Sequence, residues 1–262
     1  RFHRSDRWQT VLSLRALSPA YVAPYARIGQ DGSRAQNEIG ISGAMCYAGF
    51  RNSQIRGFID AFRHPRPTFR AAASSVGMAA GLEWEHRRGA WGQLLRYRVK
   101  SKQQTIAGFA PHLEFCTTHR LRARWSYEIS RWSWQASLDA TAFHRQTRPQ
   151  PRWGVMASFR SKVAISSVWQ AACFGAAFSA PDFSARLFAY EPQLRGRGAF
   201  PAFYGRGFAC VLFLQCKPSR HWIGECRYAL IYRSDRNAVG SGMQRIEGHN
   251  QQDFALQLRY VF

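Results

Sequence analysis

From Asp253 to Phe262 the chain alternates. Phe254, Leu256, Leu258, Tyr260 and Phe262 take every second position, and Ala255, Gln257, Arg259 and Val261 lie between them. A strand sends successive side chains to opposite faces, so these five form one unbroken apolar stripe. The same period governs the middle of the chain. Leu121, Ala123, Trp125, Tyr127 and Ile129 alternate with Arg122, Arg124, Ser126, Glu128 and Ser130. After a reversal at Ser130-Arg131, Trp132, Trp134, Ala136, Leu138, Ala140 and Ala142 alternate with Ser133, Gln135, Ser137, Asp139 and Thr141. Met78, Ala80, Leu82 and Trp84 oppose Ala79, Gly81, Glu83 and Glu85, and Trp91, Leu95, Tyr97 and Val99 oppose Arg96, Arg98 and Lys100. Near the end, Trp222, Cys226, Tyr228, Leu230 and Tyr232 oppose Glu225, Arg227 and Arg233. Further strands are expected at Gln9 to Ala16, Tyr21 to Ile28, Glu38 to Tyr47, Gln54 to Phe62, Ile106 to Cys116, Arg152 to Arg160, Lys162 to Cys173, Phe183 to Glu191 and Gly205 to Lys217. The tally is about fifteen.

Segments of roughly ten residues, half apolar and half polar, match a tilted strand crossing a bilayer. In the central hairpin Trp125, Tyr127, Trp132 and Trp134 gather beside the shared turn and small apolar residues lie farther away, which is the layout of an aromatic belt at a membrane interface. The expected fold is therefore all-β: one antiparallel transmembrane β-barrel domain of about 12–16 strands spanning residues 1–262. Single-chain bacterial barrels have even strand numbers. An odd tally means either that one segment is misread or that a strand lies upstream of Arg1. The chain starts without methionine or signal peptide, as a mature protein or a piece of a longer one would.

Composition removes the helical alternative. No run of about eighteen apolar residues exists, and the richest, Phe208 to Leu214, is too short to span as a helix. A mean hydropathy of −0.36 fits a barrel, in which only the outward half of each strand is apolar. Connection lengths give a partial check. If the last strand ends in the periplasm, Ser234 to Gln252 is a long outer loop, Pro218 to Arg220 a short inner turn and Pro192 to Tyr204 a long outer loop. The same count makes Ser130-Arg131 an outer turn, although it is very short.

Two resemblances bear on this reading. The terminal strand, with its aromatic last residue and a second aromatic two positions earlier, resembles the closing strand of bacterial outer-membrane barrels. That likeness implies that Phe254, Leu256, Leu258, Tyr260 and Phe262 form the signal read by the barrel-assembly machinery. The stretches Phe183-Ser184-Ala185-Arg186-Leu187-Phe188-Ala189-Tyr190-Glu191, Phe200-Pro201-Ala202-Phe203-Tyr204-Gly205-Arg206-Gly207 and Gly240-Ser241-Gly242-Met243-Gln244-Arg245-Ile246-Glu247-Gly248 occur in that order. Together with the final strand they resemble Gram-negative envelope proteins in which helix-hairpin-helix segments precede a carboxy-terminal barrel. The likeness covers roughly the last third, with fainter echoes around Phe58 to Arg70. The helical segment, which underlies the DNA-binding label of that family, is missing. The resemblance thus implies a barrel in the outer membrane of a Gram-negative cell envelope, with a periplasmic carboxy terminus.

Charge then narrows the role. A formal charge of +22 arises mainly from arginine, and such a bias points to phosphate-bearing or other anionic partners. Arg96, Arg98, Arg122, Arg124, Arg186, Arg227, Arg233 and Arg259 all fall on expected inward faces. They form either an anion-attracting, porin-like transport conduit or a lumen closed by pairing with Glu83, Glu85, Glu128, Asp139 and Glu225. Arg195, Arg197, Arg206 and Arg245 in loops are placed to meet lipopolysaccharide phosphates. The expected role is a membrane anchor or conduit, whose partners are the lipid bilayer, lipopolysaccharide, the assembly machinery, and an anionic solute or envelope protein.

Two rival classes account for part of the pattern. A soluble nucleic-acid binder explains arginines interleaved with aromatics, but not the terminal apolar stripe. A lipid-acting barrel enzyme needs a nucleophile beside a base. None of His3, His64, His86, His112, His119, His144, His221 and His249 sits in a nucleophile elbow or metal-ligand spacing, and Gly240-Ser241-Gly242 is not Gly-x-Ser-x-Gly. His112 with Glu114 is the most site-like pair. The reading is no enzyme, no catalytic residue, no metal and no cofactor. Cys46, Cys116, Cys173, Cys210, Cys216 and Cys226 form no Cys-x-x-Cys pair and read as small apolar fillers, with a disulfide left open.

Overall fold

The computed structural model describes residues 3–4, 7–21, 23, 29–32, 35–106, 111–198, 200–239 and 246–262. In chain order the strands are β1 (His3–Arg4), β2 (Trp8–Leu17), β3 (Glu38–Phe50), β4 (Ser53–His64), β5 (Ser75–Arg88), β6 (Trp91–Ile106), β7 (His112–Glu128), β8 (Trp132–Arg145) and β9 (Arg148–Ala164). They continue with β10 (Trp169–Ala180), β11 (Leu187–Phe188), β12 (Ala202–Phe203), β13 (Gly205–Cys216), β14 (Trp222–Arg233), β15 (Ala238–Val239), β16 (Ile246–Glu247) and β17 (Asn250–Tyr260). Thirteen of them hydrogen-bond in the order β1-β2-β3-β4-β5-β6-β7-β8-β9-β10-β13-β14-β17, while β11 pairs with β12 and β15 with β16. The fold is all-β and antiparallel, and its strand number falls in the expected range.

Three segments differ from the expected set, and two of them lower the strand count. Ile106 to Cys116 and Leu121 to Ser130 are not separate strands: β7 runs unbroken from His112 to Glu128, and residues 107–110 lie outside the described set. Lys162 to Cys173 straddles a turn between β9 and β10. Phe183 to Glu191 is not a strand of the sheet. It opens with a single 3-10 turn, Phe183–Ala185, capped by Asp182, which accepts the Ser184 amide at 2.8 Å. Its alternation is nonetheless real. Ala185, Leu187 and Ala189 are buried because the segment lies against the sheet instead of pairing within it. Most of Tyr21 to Ile28, and the Gly240 to Arg245 part of the glycine-rich motif, lie outside the described residues.

The chain divides into two compact units. Unit 1 comprises Arg1–His86, Leu94–Leu121 and Ala142–Pro151. In it β2, β3, β4 and β5 pair in sequence, from Leu17↔Glu38 through Ile39↔Arg63 to His64↔Ser75, with a register shift between Tyr47 and Phe50 near the β3–β4 turn. Strand parity alternates with burial. Leu12, Leu14, Ile39, Ile41, Ile59, Met78 and Leu82 are exposed on one face, while Arg15, Glu38 and His64 are buried on the other. This inverts a water-soluble protein, whose strands bury apolar faces and solvate charges.

Unit 2 comprises Arg87–Gln93, Arg122–Thr141 and Arg152–Phe262. Its β9, β10, β13, β14 and β17 pair in order. Register places the connections 165–168 and 217–221 at the end where β17 finishes, through Gln170↔Ala164, Trp169↔Cys216 and Trp222↔Tyr260. The Ala164 amide to the Arg131 carbonyl (2.8 Å) and the Glu128 amide to the Ala90 carbonyl (3.0 Å) bring 129–131 and 89–90 to the same end. Ser130-Arg131 is therefore a short turn on the side of the carboxy terminus, not an outer one. Counting Phe183 to Glu191 as a crossing reverses the parity of β7 to β10, and splitting β7 in two restores it for the strands before. The long connections, described over 181–198, 200–204, 234–239 and 246–249, leave the sheet at the opposite end.

The connection 181–204 returns over the polar face of unit 2. Leu187 and Phe203 pack with Met156, Phe174, Phe178 and Val211 into a large cluster of buried apolar residues. Gly154 permits the approach, because a Cβ there would stand 2.2 Å from the Ala185 carbonyl oxygen.

Candidate functional site

The two faces of the strands carry the functional information. In unit 2, Phe254, Leu256 and Leu258 are 67%, 73% and 69% exposed, and Tyr260 and Phe262 continue the row. Phe208, Leu212, Leu214 and Tyr228 extend it across β13 and β14. Of the expected belt, Tyr127, Trp132 and Trp134 meet in one aromatic contact set with Trp91 and Phe159: Trp91 lies 4.8 Å from Tyr127 and 5.6 Å from Trp134. Trp125 is exposed on the same face. A second group, Trp222, Tyr260 and Phe262, stands at the end of β17, with ring separations of 5.0 and 5.1 Å. Rings with an apolar body and a polar tip suit a headgroup boundary.

The polar face of unit 1 is an ion lattice. Arg15 gives Nε to Glu38 at 2.5 Å and two nitrogens to Asp60 at 2.8 and 3.0 Å. His64 stands 3.5 Å from the second Glu38 oxygen, which also accepts the Asp31 amide at 2.8 Å. Lys100 and Lys102 both reach Asp31. Burial alone would push the Asp31 carboxyl up, but these two ammonium groups outweigh it and hold the acid below its ordinary value. Further along, Glu83 takes Arg56 at 2.7 Å on one oxygen and Arg96 on the other, and Glu85 takes Arg56 at 3.1 Å. Arg98 lies over the Phe58 ring, 5.6 Å from its centroid.

Unit 2 uses its charges to hold the returning connection. Arg227 is 4% exposed and binds Glu191, Asp253 (2.6 Å) and the Pro192 carbonyl (3.0 Å). Glu225 accepts the Arg195 amide at 3.0 Å and Gln215 at 2.6 Å. Arg122 spans Asp139 at 2.5 Å and the Phe188 carbonyl at 2.9 Å. Buried charges need such partners, because an unpaired ion in a dry interior costs several kcal/mol. Burial, acting first, with Asp253 nearby, pushes the Glu191 carboxyl above its ordinary value despite Arg227.

Of the eight arginines expected on the inward face, Arg96, Arg98, Arg122, Arg227 and Arg233 lie on the polar face among these contacts, Arg233 packing on the Tyr204 ring at 5.4 Å. Arg124 and Arg259 occupy the same strand parity and are half-buried. Arg186 is corrected: it ends the 3-10 turn, donating to the Phe183 carbonyl at 2.7 Å and stacking 4.1 Å over the Phe183 ring. Of the expected carboxylate partners, Glu128 instead pairs with Arg87 at an exposed strand end. Glu114 binds the amide and hydroxyl of Thr147 at 2.6 and 2.7 Å. Sequence reasoning missed Arg15, Glu38, Asp60, Asp31 and Glu191. The first and third stood in view, since Arg15 and Asp60 are out of phase with the apolar Leu14 and Ile59. Asp31 and Glu191 sit in connections, where period carries no information. The described cysteines are all unbridged.

No protein-family description matches the chain, and no curated protein matches it. Among solved structures it is similar to OmpT (in-vitro folded), an outer membrane protein of Vibrio cholerae, at 9% identity and a TM-score of 0.42, over 97% of this chain and 96% of that one. The expectation that the chain is not an enzyme is corrected at this point and withdrawn.

Proposed function

We propose that this chain is an integral outer-membrane β-barrel of a Gram-negative envelope, serving as a membrane anchor or conduit with a basic lumen. One observation carries the reading: side chains such as Leu14, Ile59, Leu256 and Leu258 face outward while Arg15, Glu38, Glu225 and Arg227 are buried. Water would disfavour the first set and solvate the second, whereas a bilayer around a polar interior reverses both preferences. The aromatic groups at the ends of the strands supply the interface anchors, and short turns gathered at the end of β17 support a periplasmic carboxy terminus. The likeness of the last third to barrels that follow helix-hairpin-helix segments supports the same envelope setting. Lipopolysaccharide phosphates suit the exposed Arg195 and Arg197 of the connection and Arg206, which stands at the start of β13 and not in a loop, and the assembly machinery would read the stripe ending at Phe262.

The barrel is tested by gel mobility with and without heating, combined with membrane fractionation. A faster-migrating unheated form in the outer-membrane fraction is expected, and a detergent-free soluble monomer that binds DNA would overturn it. Conduction is tested in planar bilayers under a salt gradient. Anion-selective reversal potentials support the conduit; a silent membrane supports the anchor, with 181–204 as the filling element.

A further inference from the structure

We infer that the polar face of unit 1 holds a binding site for a small planar organic anion, formed by Phe58, Arg56, Arg96 and Arg98. The inference rests on reading that face as the lumen lining and deepens it by naming a ligand class. A cavity of about 520 Å³ lies on β2 to β6, within the range of small-molecule sites. Three guanidinium groups line it, from Arg56, Arg96 and Arg98, against a single carboxylate, Glu83. Glu83 already divides its two oxygens between Arg56 and Arg96, so the local balance stays positive even when Glu85, which also takes Arg56, is included.

Shape adds selectivity. Phe58 faces Gly81 across β4 and β5, where a Cβ would stand 2.4 Å from the ring and 3.1 Å from the Arg98 side chain. The missing side chain lets the ring lie against the sheet with Arg98 over it. Ring-over-glycine packing has a purely structural use, and Phe62 repeats it over Gly77, with Lys100 5.8 Å above the ring. Only the Phe58 copy opens onto the cavity among several guanidinium groups. A carboxylate matches the planar fork of arginine, and a flat apolar body matches the ring surface. An anion lacking the flat part forfeits the second contact, and an uncharged aromatic forfeits the first.

The test uses the full chain refolded in detergent micelles, with benzoate as probe and calorimetry as readout. Saturable benzoate binding is expected, about tenfold tighter than acetate or benzyl alcohol, and weakened about tenfold in Arg98→Gln. Methyl benzoate, of similar shape but uncharged, should fail to displace benzoate from the unaltered protein, a result that needs no variant to fold. Equal binding of methyl benzoate, no saturation with benzoate, or an unchanged affinity in a folded R98Q protein would each overturn the site. Those outcomes in protein that keeps its heat-dependent mobility leave the barrel standing. Loss of that mobility, with protein remaining soluble without detergent, would instead overturn the barrel.

Discussion

Unit 1 and unit 2 share one inverted strand pattern and fill their polar faces in opposite ways. In unit 1 the strands satisfy one another: Arg15 with Glu38 and Asp60, Arg56 and Arg96 with Glu83. Side-chain pairs fill space incompletely, and a cavity remains. In unit 2 a piece of the chain itself does the filling. The connection 181–204 brings Leu187 and Phe203 onto Phe174 and Phe178, and Arg227 holds it there through Glu191 and the Pro192 carbonyl. Ion lattices leave room for solutes, whereas a returning segment closes the space with apolar packing. The same fold thus carries one face suited to passage or binding and one suited to obstruction.

The sharpest way to break that contrast is to cut the hold in unit 2. Arg227→Ala strands Glu191 as a buried carboxylate without its cation, while Asp253 keeps Arg197 and partial exposure, a change expected to cost about 3–5 kcal/mol. Denaturant unfolding from micelles should show that loss, and planar bilayers should show larger conductance as 181–204 comes away. Stability lost without any change in conductance would mean that the segment does not restrict the lumen. Phe203→Ala attacks the same segment through packing instead of charge. Phe203 is fully buried between Phe174 and Phe178, so truncation is expected to cost about 3–5 kcal/mol, toward the lower end if the segment collapses into the gap. The Arg227 and Phe203 variants should open the same conductance; divergence would separate the hold from the filling.

Unit 1 should respond more weakly at its rim. The Arg56 side chain is 46% exposed, so Arg56→Ala is expected to cost at most about 1 kcal/mol despite two carboxylate partners. A loss as large as that of Arg227→Ala would show that water does not reach the cavity.

The strands were legible in the sequence because a sheet with one apolar and one polar face imposes a strict period of two, and Phe254 to Phe262 shows it without interruption. Their count was less legible. At β7 the polar Thr117, Thr118, His119 and Arg120 blur the phase, and one long strand reads as two. Phe183 to Glu191 shows why period alone misleads: an extended segment lying across a sheet alternates as faithfully as one paired within it. The arginines of the polar face other than Arg186 followed from parity, but Glu191 and Asp31 did not. They reach their partners from connections, and only three-dimensional return of the chain brings them to Arg227 and to Lys100 and Lys102.

Those two connecting carboxylates also give the finest test of the comparison, through acid sensitivity. Asp31 in unit 1 titrates below its ordinary value when folded, because Lys100 and Lys102 outweigh the effect of burial. The unfolded chain therefore binds the proton more readily, so the contribution of Asp31 is present at neutral pH. It is lost as pH falls through the ordinary carboxylate range, about 3.9, and below it. Glu191 in unit 2 has the opposite sign. Burial raises it, the folded chain binds the proton more readily, and its contribution is present in acid and lost as pH rises through the raised value. Asp31→Asn should thus flatten the decline of stability between neutral pH and about pH 3, and Glu191→Gln should steepen it. Unfolding midpoints measured across that range in micelles decide the matter. Slopes that move in the same direction for both variants would show that the two units do not hold their connections by opposite balances of burial and charge.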